Sequence, residues 1–171
     1  TLTAGAVTTG ANRVALANTG TLTRTTGYVA GTLEKNVTAG AAVSVPFEVG
    51  TSTYAPVTLV FASVTGPGTL TVTSVAGDHA SIGTSTLSAT YSVNEYWDVT
   101  LGTMTFAGTY TATFGWDAAA LDASTDTTLF AVAVAAGLLE RRLFVQGQSE
   151  IPADARWGVR AAAVAYLLSI A

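Results

Sequence analysis

Three aspartates follow one another at short intervals in the polar stretch after Trp116: Asp117, Asp122 and Asp126. Hard cations such as Ca²⁺ bind several oxygen ligands, so a loop with three carboxylates could supply a calcium site. Their spacing fits neither an EF-hand nor a repeat-type calcium loop. Aspartate at a turn also accepts hydrogen bonds from nearby backbone N–H groups. We interpret the three residues as turn caps, keep calcium as the alternative, and expect no other metal or cofactor.

His79 is the single histidine of the chain, and Asp78 directly precedes it. A general base must lie within reach of the group that it deprotonates. Adjacent residues on a strand point to opposite faces, and no motif places a nucleophile near His79. We interpret Gly77, Asp78 and His79 as a turn.

Glu95 falls on the apolar face of its predicted strand, and a carboxylate there needs a partner. Arg24 or Lys35 could pair with it, as could Asp98 if Glu95 is protonated. Glycoside hydrolysis requires two carboxylates that flank a cleft, and nothing in the sequence indicates a cleft. We predict a structural ion pair or a surface position, and no catalytic residue.

Aromatic side chains could form a platform on which sugar rings stack. Most of them have the alternation parity of core residues, so we expect core packing instead. No glycine-rich phosphate-binding motif is present. The aromatic residues considered are Trp97, Trp116, Tyr54, Tyr91, Tyr96 and Tyr110.

The composition is apolar and poor in charge: 49% of the residues are hydrophobic and 11% are charged, against about 25% charged in typical soluble domains. No apolar stretch reaches the roughly 18 residues of a membrane span. The net charge of −4 and the lack of a basic cluster argue against nucleic-acid binding. The absence of cysteine excludes disulfides and thiolate sites. Either a neutral Thr, Ser and Gly surface or burial against neighbouring subunits would explain this composition.

Alternation of apolar and polar residues predicts six to nine short strands, and hence an all-β fold, an antiparallel sandwich of Ig-like or jelly-roll-like type. In residues 109–116 the threonines face water and the aromatic residues face the core. Pro46 cannot donate to a ladder, so residues 43–49 should form an edge or bulged strand. Residues 57–64 are apolar on both faces, which predicts an interior strand, and a Gly-Pro-Gly turn then predicts a hairpin with residues 69–75. Residues 91–101 and 128–134 are further predicted strands.

The chain divides into three segments. Residues 1–26 contain short strands with Gly or Asn at the corners, which resemble either the last rungs of a parallel β-helix or a meander. Residues 27–137 form the predicted sandwich. No threonine follows Thr128, and residues 138–171 are rich in Ala and Leu. We predict a tail there that is helical or makes contacts between subunits, with a short amphipathic helix over residues 153–171.

Four segments carry a shared pattern: YVAGTLEK at residues 28–35, VPFEVGT at 45–51, YAPVTL at 54–59 and VNEYWDV at 93–99. They resemble a repetitive module of large secreted, adhesin-like surface proteins of Bacteroidetes-type bacteria, in which β-helix-like rungs precede the module. Two departures are the inverted order of Pro46-Phe47 and Glu95 in place of the usual arginine. The resemblance covers roughly residues 1–135. It implies a β-sandwich on the cell exterior and no catalytic residues.

These observations predict a non-catalytic, secreted structural module of the bacterial cell surface. Few charges, a high apolar fraction and strand edges with little Lys or Pro favour self-assembly into a filament, sheath or array, through strand edges or the tail. The expected partner is another copy of the chain. One alternative is a carbohydrate-binding or adhesion module that recognises surface glycans and exposes a row of aromatic residues. The other is an accessory domain of a secreted hydrolase.

Overall fold

A computed structural model of the chain describes residues 1–17, 20–85, 87–137 and 141–149. Over these residues the fold is all-β, as predicted, and helical structure is limited to short 3₁₀ turns. The strands in chain order are β1 (Ala6–Thr8), β2 (Val14–Leu16), β3 (Tyr28–Ala30), β4 (Thr32–Val37), β5 (Gly40–Phe47), β6 (Val49–Gly50), β7 (Val57–Gly66), β8 (Gly68–Ala76), β9 (Leu87–Leu101), β10 (Thr105–Phe114), β11 (Phe130–Gly137) and β12 (Arg141–Ser149).

Two sheets form a sandwich. One has three antiparallel strands in the order β10-β7-β5, and the other has six strands in the order β11-β12-β9-β8-β4-β2. The apolar side chains of both sheets meet in one core, because burying them removes apolar surface from water. The largest side chains of this core that are almost fully buried are Trp97, Phe47, Leu33, Leu59 and Leu70.

The alternation predicted for residues 109–116 is confirmed for residues 109–114, where β10 ends. Tyr110 is buried, while Ala112 and Phe114 pack against the core, and the threonines between them are exposed. The pairing of β10 with β7 shifts register between Ala107 and Tyr110, and Gly108 has a φ of +76° there. This irregularity is typical of a β-bulge, in which glycine adopts the left-handed conformation without a steric penalty.

The predicted positions of two strands are also confirmed. The strand with Pro46, β5, lies at an edge of the three-stranded sheet, and β7 lies in its centre. Proline is compatible with an edge because its missing N–H would face away from the ladder.

The predicted hairpin of residues 57–64 with residues 69–75 is wrong. β7 pairs with β5 and β10, whereas β8 pairs with β4 and β9 in the other sheet. The chain therefore crosses from one sheet to the other at Pro67. Gly68 permits this crossing, because a Cβ there would lie 2.3 Å from the backbone nitrogen of Met104. Alternation alone cannot distinguish a hairpin from a crossing, since both strands present an apolar face to the same core.

The short strands at the N-terminus pair in parallel. Residues 1–16, here called the first coil, lie beside residues 23–35, the second coil. Leu2 bridges Arg24, β1 pairs with β3, and β2 pairs with β4, all in parallel. β6 adds a third parallel layer beside β3. Of the two arrangements suggested by the sequence, parallel pairing is that of a β-helix, and a meander would be antiparallel.

The six-stranded sheet continues past the last threonine. β11 covers most of the strand predicted at residues 128–134. β12 pairs antiparallel with both β11 and β9. Residues 141–149 thus belong to the sheet, although the sequence placed them in a separate tail. The helix predicted for residues 153–171 lies outside the described residues.

Candidate functional site

Asp117 and Asp126 each cap a short 3₁₀ turn. The Asp117 carboxylate accepts a hydrogen bond from the Ala119 N–H at 2.8 Å. Asp126 accepts one from the Thr128 N–H at 2.9 Å. Side-chain oxygens at such positions satisfy N–H groups that have no partner inside the turn. Both residues therefore have the capping role that the sequence suggested as the main interpretation.

Asp122 ties its loop to β9. Its carboxylate accepts hydrogen bonds from the Ser92 N–H and the Asn94 amide, each at 2.8 Å, and from the Ser92 hydroxyl at 3.2 Å. Burial alone would raise the pKa of Asp122, but these hydrogen bonds outweigh it and hold the pKa below its usual value. The Ser92 hydroxyl also lies 2.6 Å from a carboxylate oxygen of Asp78. In the part of the chain that the structure describes, no three His, Asp or Glu side chains are grouped to bind a metal ion.

His79 lies in the connection between β8 and β9, as expected for a turn residue. Its Nδ1 accepts a hydrogen bond from the Ser81 N–H at 3.2 Å, and its ring packs edge-on against Tyr96. The preceding Gly77 has a φ of +86°, which glycine tolerates because it has no Cβ. These contacts give the imidazole a structural role in holding the turn.

Glu95 is buried in the core side of β9, so the predicted surface position is wrong. The predicted partners are engaged elsewhere: Lys35 pairs with Glu48 at 2.8 Å, and the Arg24 guanidinium stacks on Tyr54. Among the described residues, the ion pairs are Lys35–Glu48 and Arg13–Glu34, and neither includes Glu95. The predicted ion pair of Glu95 is therefore not formed with a described residue.

The Glu95 carboxyl instead contacts hydroxyl groups. Its Oε1 accepts a hydrogen bond from the Ser74 hydroxyl, and its Oε2 is buried without a hydrogen-bond partner. Burial raises the pKa of Glu95 from 4.5 to about 6, although the hydroxyls of Ser74 and Thr51 lower it in part. Near pH 5 the carboxyl is thus mostly protonated and acts as a neutral core group. The sequence offered no signal for this partner, because Ser74 lies 21 residues away on another strand.

Core packing accounts for two of the six aromatic residues that were considered as a sugar platform. Trp97 is fully buried, and its Nε1–H donates to the Ala55 carbonyl at 2.9 Å. Tyr110 packs against Phe61. Tyr91, which had the parity of a core residue, is 41% exposed. The pleat is irregular next to it, since the consecutive residues Ser92 and Val93 are both buried.

The other aromatic rings are partly buried and engaged by neighbours. Trp116 packs against Phe130 with ring centroids 5.4 Å apart. The Arg24 guanidinium lies 3.6 Å from the ring centre of Tyr54. A row of exposed aromatic rings, which glycan binding by stacking requires, is absent from the described residues, where Tyr91 is the exposed large aromatic.

A shallow polar cleft of about 590 Å³ lies between the first coil and the outer face of the six-stranded sheet. Arg13 and Glu34 form an ion pair across it at 3.2 Å. The hydroxyls of Thr71 and Thr100 lie on its floor. The cleft contains hydrogen-bonding groups and a charge pair, but none of its lining residues is aromatic.

The outer edge of the first coil is an exposed surface with a regular backbone. β1 and β2 are terminal strands of their sheets, and every residue of β1 is exposed. Val7 pairs with Val29, which in turn pairs with Val49. Val29 and Val49 are fully buried, whereas Val7 is 46% exposed. Val49, Val29 and Val7 therefore form a column across three neighbouring strands, and this column ends at the exposed side chain of Val7.

The first coil fits closely against the second at two glycines. A Cβ at Gly27 would lie 2.9 Å from the Gly5 carbonyl oxygen, and one at Gly31 would lie 2.2 Å from the Thr9 hydroxyl. Gly5 itself has open space beside it. The alternation in the sequence does not single out Val7 as an exposed residue. The signal that could have revealed it is the Gly-x-Val pattern at residues 5–7, which recurs at residues 27–29.

No helix in the described part of the chain is long and apolar enough to cross a membrane. Comparisons with protein-family models, with curated protein sequences and with solved structures found no match to this chain.

Proposed function

We propose that this chain is a non-catalytic structural module of the bacterial cell exterior, which joins copies of itself into a filament, sheath or array. The observation that supports the proposal most is the open edge of the first coil. A terminal strand presents unpaired N–H and C=O groups, and such an edge pairs readily with a strand of another molecule. All three residues of β1 are exposed, and residues 1–16 contain a single charged side chain, Arg13.

The contacts of the candidate groups support the non-catalytic part of the proposal. His79, Asp117 and Asp126 accept hydrogen bonds from nearby backbone N–H groups. Glu95 is buried beside Ser74 rather than at the cleft. Each group thus has a structural role that explains its presence. The location outside the cell rests on the resemblance of residues 28–35, 45–51, 54–59 and 93–99 to a bacterial surface module.

Sedimentation velocity over a concentration series, combined with negative-stain electron microscopy, tests the proposal on the full chain. We expect species larger than the monomer whose share grows with concentration, because strand pairing between molecules follows mass action. A monodisperse monomer at the highest attainable concentration would contradict the proposal.

Glycan binding is the second candidate, and the polar cleft lined by Arg13 and Glu34 is the observation that favours it. Its ion pair and threonine hydroxyls could hydrogen-bond sugar hydroxyls, although no aromatic ring in the cleft offers a stacking surface. A glycan array separates the two candidates. Binding that is lost in Arg13→Ala would support the glycan candidate, and an array without hits would remove it.

A further inference from the structure

Among the described residues, the backbone of β1 is paired on one side and open on the other. The Gly5 carbonyl accepts from the Tyr28 N–H at 3.1 Å, and the Thr9 N–H donates to the Ala30 carbonyl at 3.0 Å. In a parallel ladder, alternate residues direct their backbone groups to the same neighbour. Residues 5, 7 and 9 therefore face β3. The N–H and C=O groups of Ala6 and Thr8 point to the open side.

The two edges of the three-stranded sheet β10-β7-β5 are protected, and the edge at β1 is not. Pro46 lies on β5 and removes a donor from that edge. β10 carries the register shift at Gly108, and a bulge of this kind distorts the ladder and discourages pairing. β1 has the sequence Ala-Val-Thr, with no proline, charge or bulge. Among these edges, β1 is the one best suited to accept another strand.

We propose that β1 pairs antiparallel with β1 of a second copy of this chain, about a two-fold axis next to Val7. The inference rests on the proposed function and names one contact of the assembly, because a two-fold contact closes at a dimer and a filament or array needs a second contact. A two-fold contact is self-complementary and closed, and the uncharged β1 meets its own copy without repulsion. This pairing also continues the column of Val49, Val29 and Val7, which covers the exposed valine with the same residue of the second copy.

The register follows from the directions of the backbone groups. Ala6 lies opposite Thr8 of the second copy, and these two residues exchange hydrogen bonds through the groups that face outward. Val7 lies opposite Val7 of the second copy, as a pair without mutual hydrogen bonds. The Cα atoms of such a pair are about 4.5 Å apart, which brings the side chains close together. The surface gained is small, so the dimer should be weak and dependent on concentration.

A single cysteine tests this register directly, because the chain contains no cysteine. In Val7→Cys the two Cα atoms would be about 4.5 Å apart, within the roughly 4.4–6.8 Å that a disulfide spans. We expect mild oxidation to convert Val7→Cys to a covalent dimer. The matched control Ser44→Cys, which is exposed on the protected edge β5, should remain monomeric. Equal rates of dimer formation in both variants would overturn the inference.

Thr8→Pro provides a second measurement. Proline at residue 8 removes an N–H that faces outward, so the ladder with β3 keeps its hydrogen bonds. We expect dimer formation to weaken at least tenfold, while circular dichroism and the unfolding midpoint stay close to those of the unmodified chain. Assembly that persists in Thr8→Pro, without crosslinking of Val7→Cys, would overturn this inference but leave the proposed function standing. Absence of any assembly in the unmodified chain would overturn both.

Discussion

Glu95 is a residue of β9 and Asp122 is hydrogen-bonded to β9, but the surroundings of their two carboxyl groups are opposite in kind. Asp122 accepts three hydrogen bonds at the rim of the sheet, which favour its charged form. Glu95 lies in the core with one hydroxyl donor on Oε1 and none on Oε2. Its charged form is disfavoured because the core solvates a charge poorly. The two residues should therefore change stability in opposite directions as pH falls.

Stability should fall as pH rises through the titration range of Glu95. Its pKa is about 6 in the folded protein and 4.5 as the ordinary value, so the folded state holds more protons between these two values. The free energy of unfolding should thus decrease by about 2 kcal/mol from pH 4.5 to pH 7 through this group. Asp122, whose pKa is lowered, contributes stability that is lost only at more acidic pH. Urea unfolding at several pH values measures the slope.

The variant Glu95→Gln tests whether Glu95 causes this dependence of stability on pH. A glutamine keeps the shape but cannot ionise, so the decrease between pH 4.5 and pH 7 should largely disappear and the variant should be the more stable protein at pH 7. Glu34→Gln, which alters a carboxylate of the surface ion pair with Arg13, is the control and should retain the slope. An unchanged slope in Glu95→Gln would show that another group is responsible.

At the scale of elements, the first coil depends on the glycines of the second. Gly31 has a φ of +117°, a conformation that side chains rarely allow, and its open face receives the Thr9 side chain. The Thr9 hydroxyl accepts from the Thr32 N–H at 3.1 Å and contacts the Ala30 carbonyl at 3.4 Å. This hydroxyl therefore cannot move away without losing its contacts. The close approach of the two coils is what places β1 at an exposed edge.

Gly31→Ala should destabilise the protein by about 2–3 kcal/mol, because it adds backbone strain and displaces the Thr9 hydroxyl. Urea unfolding measures the loss. The control is Gly83→Ala, since a Cβ at Gly83 would meet nothing within 4 Å and its φ is not positive. That variant should change stability by less than about 0.5 kcal/mol, as surface substitutions commonly do. Equal effects of the two substitutions would show that the coils do not pack as described.

At the scale of the whole molecule, the chain carries few charges, and β1 carries none. The chain has 7 basic and 11 acidic residues among 171. Arg13 and Glu34 form one surface ion pair, of the kind that adds little stability. The edge at β1 offers hydrogen-bonding groups and an apolar side chain instead. Association through it should therefore depend on apolar contact and backbone pairing.

Assembly should persist when salt is raised. Screening of charges strengthens as the Debye length falls from about 10 Å at 0.1 M to about 3 Å at 1 M. A contact without charge pairs is insensitive to this change, and the net charge of −4 makes screening slightly favourable to association. Sedimentation velocity at both ionic strengths is the measurement, with sodium sulfate as a further condition that should strengthen the contact. Dissociation at high salt would point to an electrostatic interface.

Several local features of the fold could be predicted because they arise from neighbouring residues. The pleat sends alternate side chains to opposite faces, so the inward position of Tyr110 and the outward threonines beside it follow from spacing alone. Proline has no N–H, so the edge position of β5 also follows from one residue, Pro46. Aspartates capped the turns after Trp116 because their side chains reach N–H groups two residues away.

Contacts between residues far apart in sequence could not be predicted, because they depend on the path of the chain in space. β7 and β8 look like a hairpin in sequence, yet they lie in different sheets. Glu95 accepts its hydrogen bond from Ser74 of β8 and not from a basic residue. The exposure of Val7 follows from its place at the end of a column that includes Val29 and Val49. The alternation of apolar and polar residues predicts on which face of a sheet each side chain lies. It does not predict which strands are neighbours, because strand pairing depends on contacts between segments that are far apart in sequence and that form only when the whole chain packs.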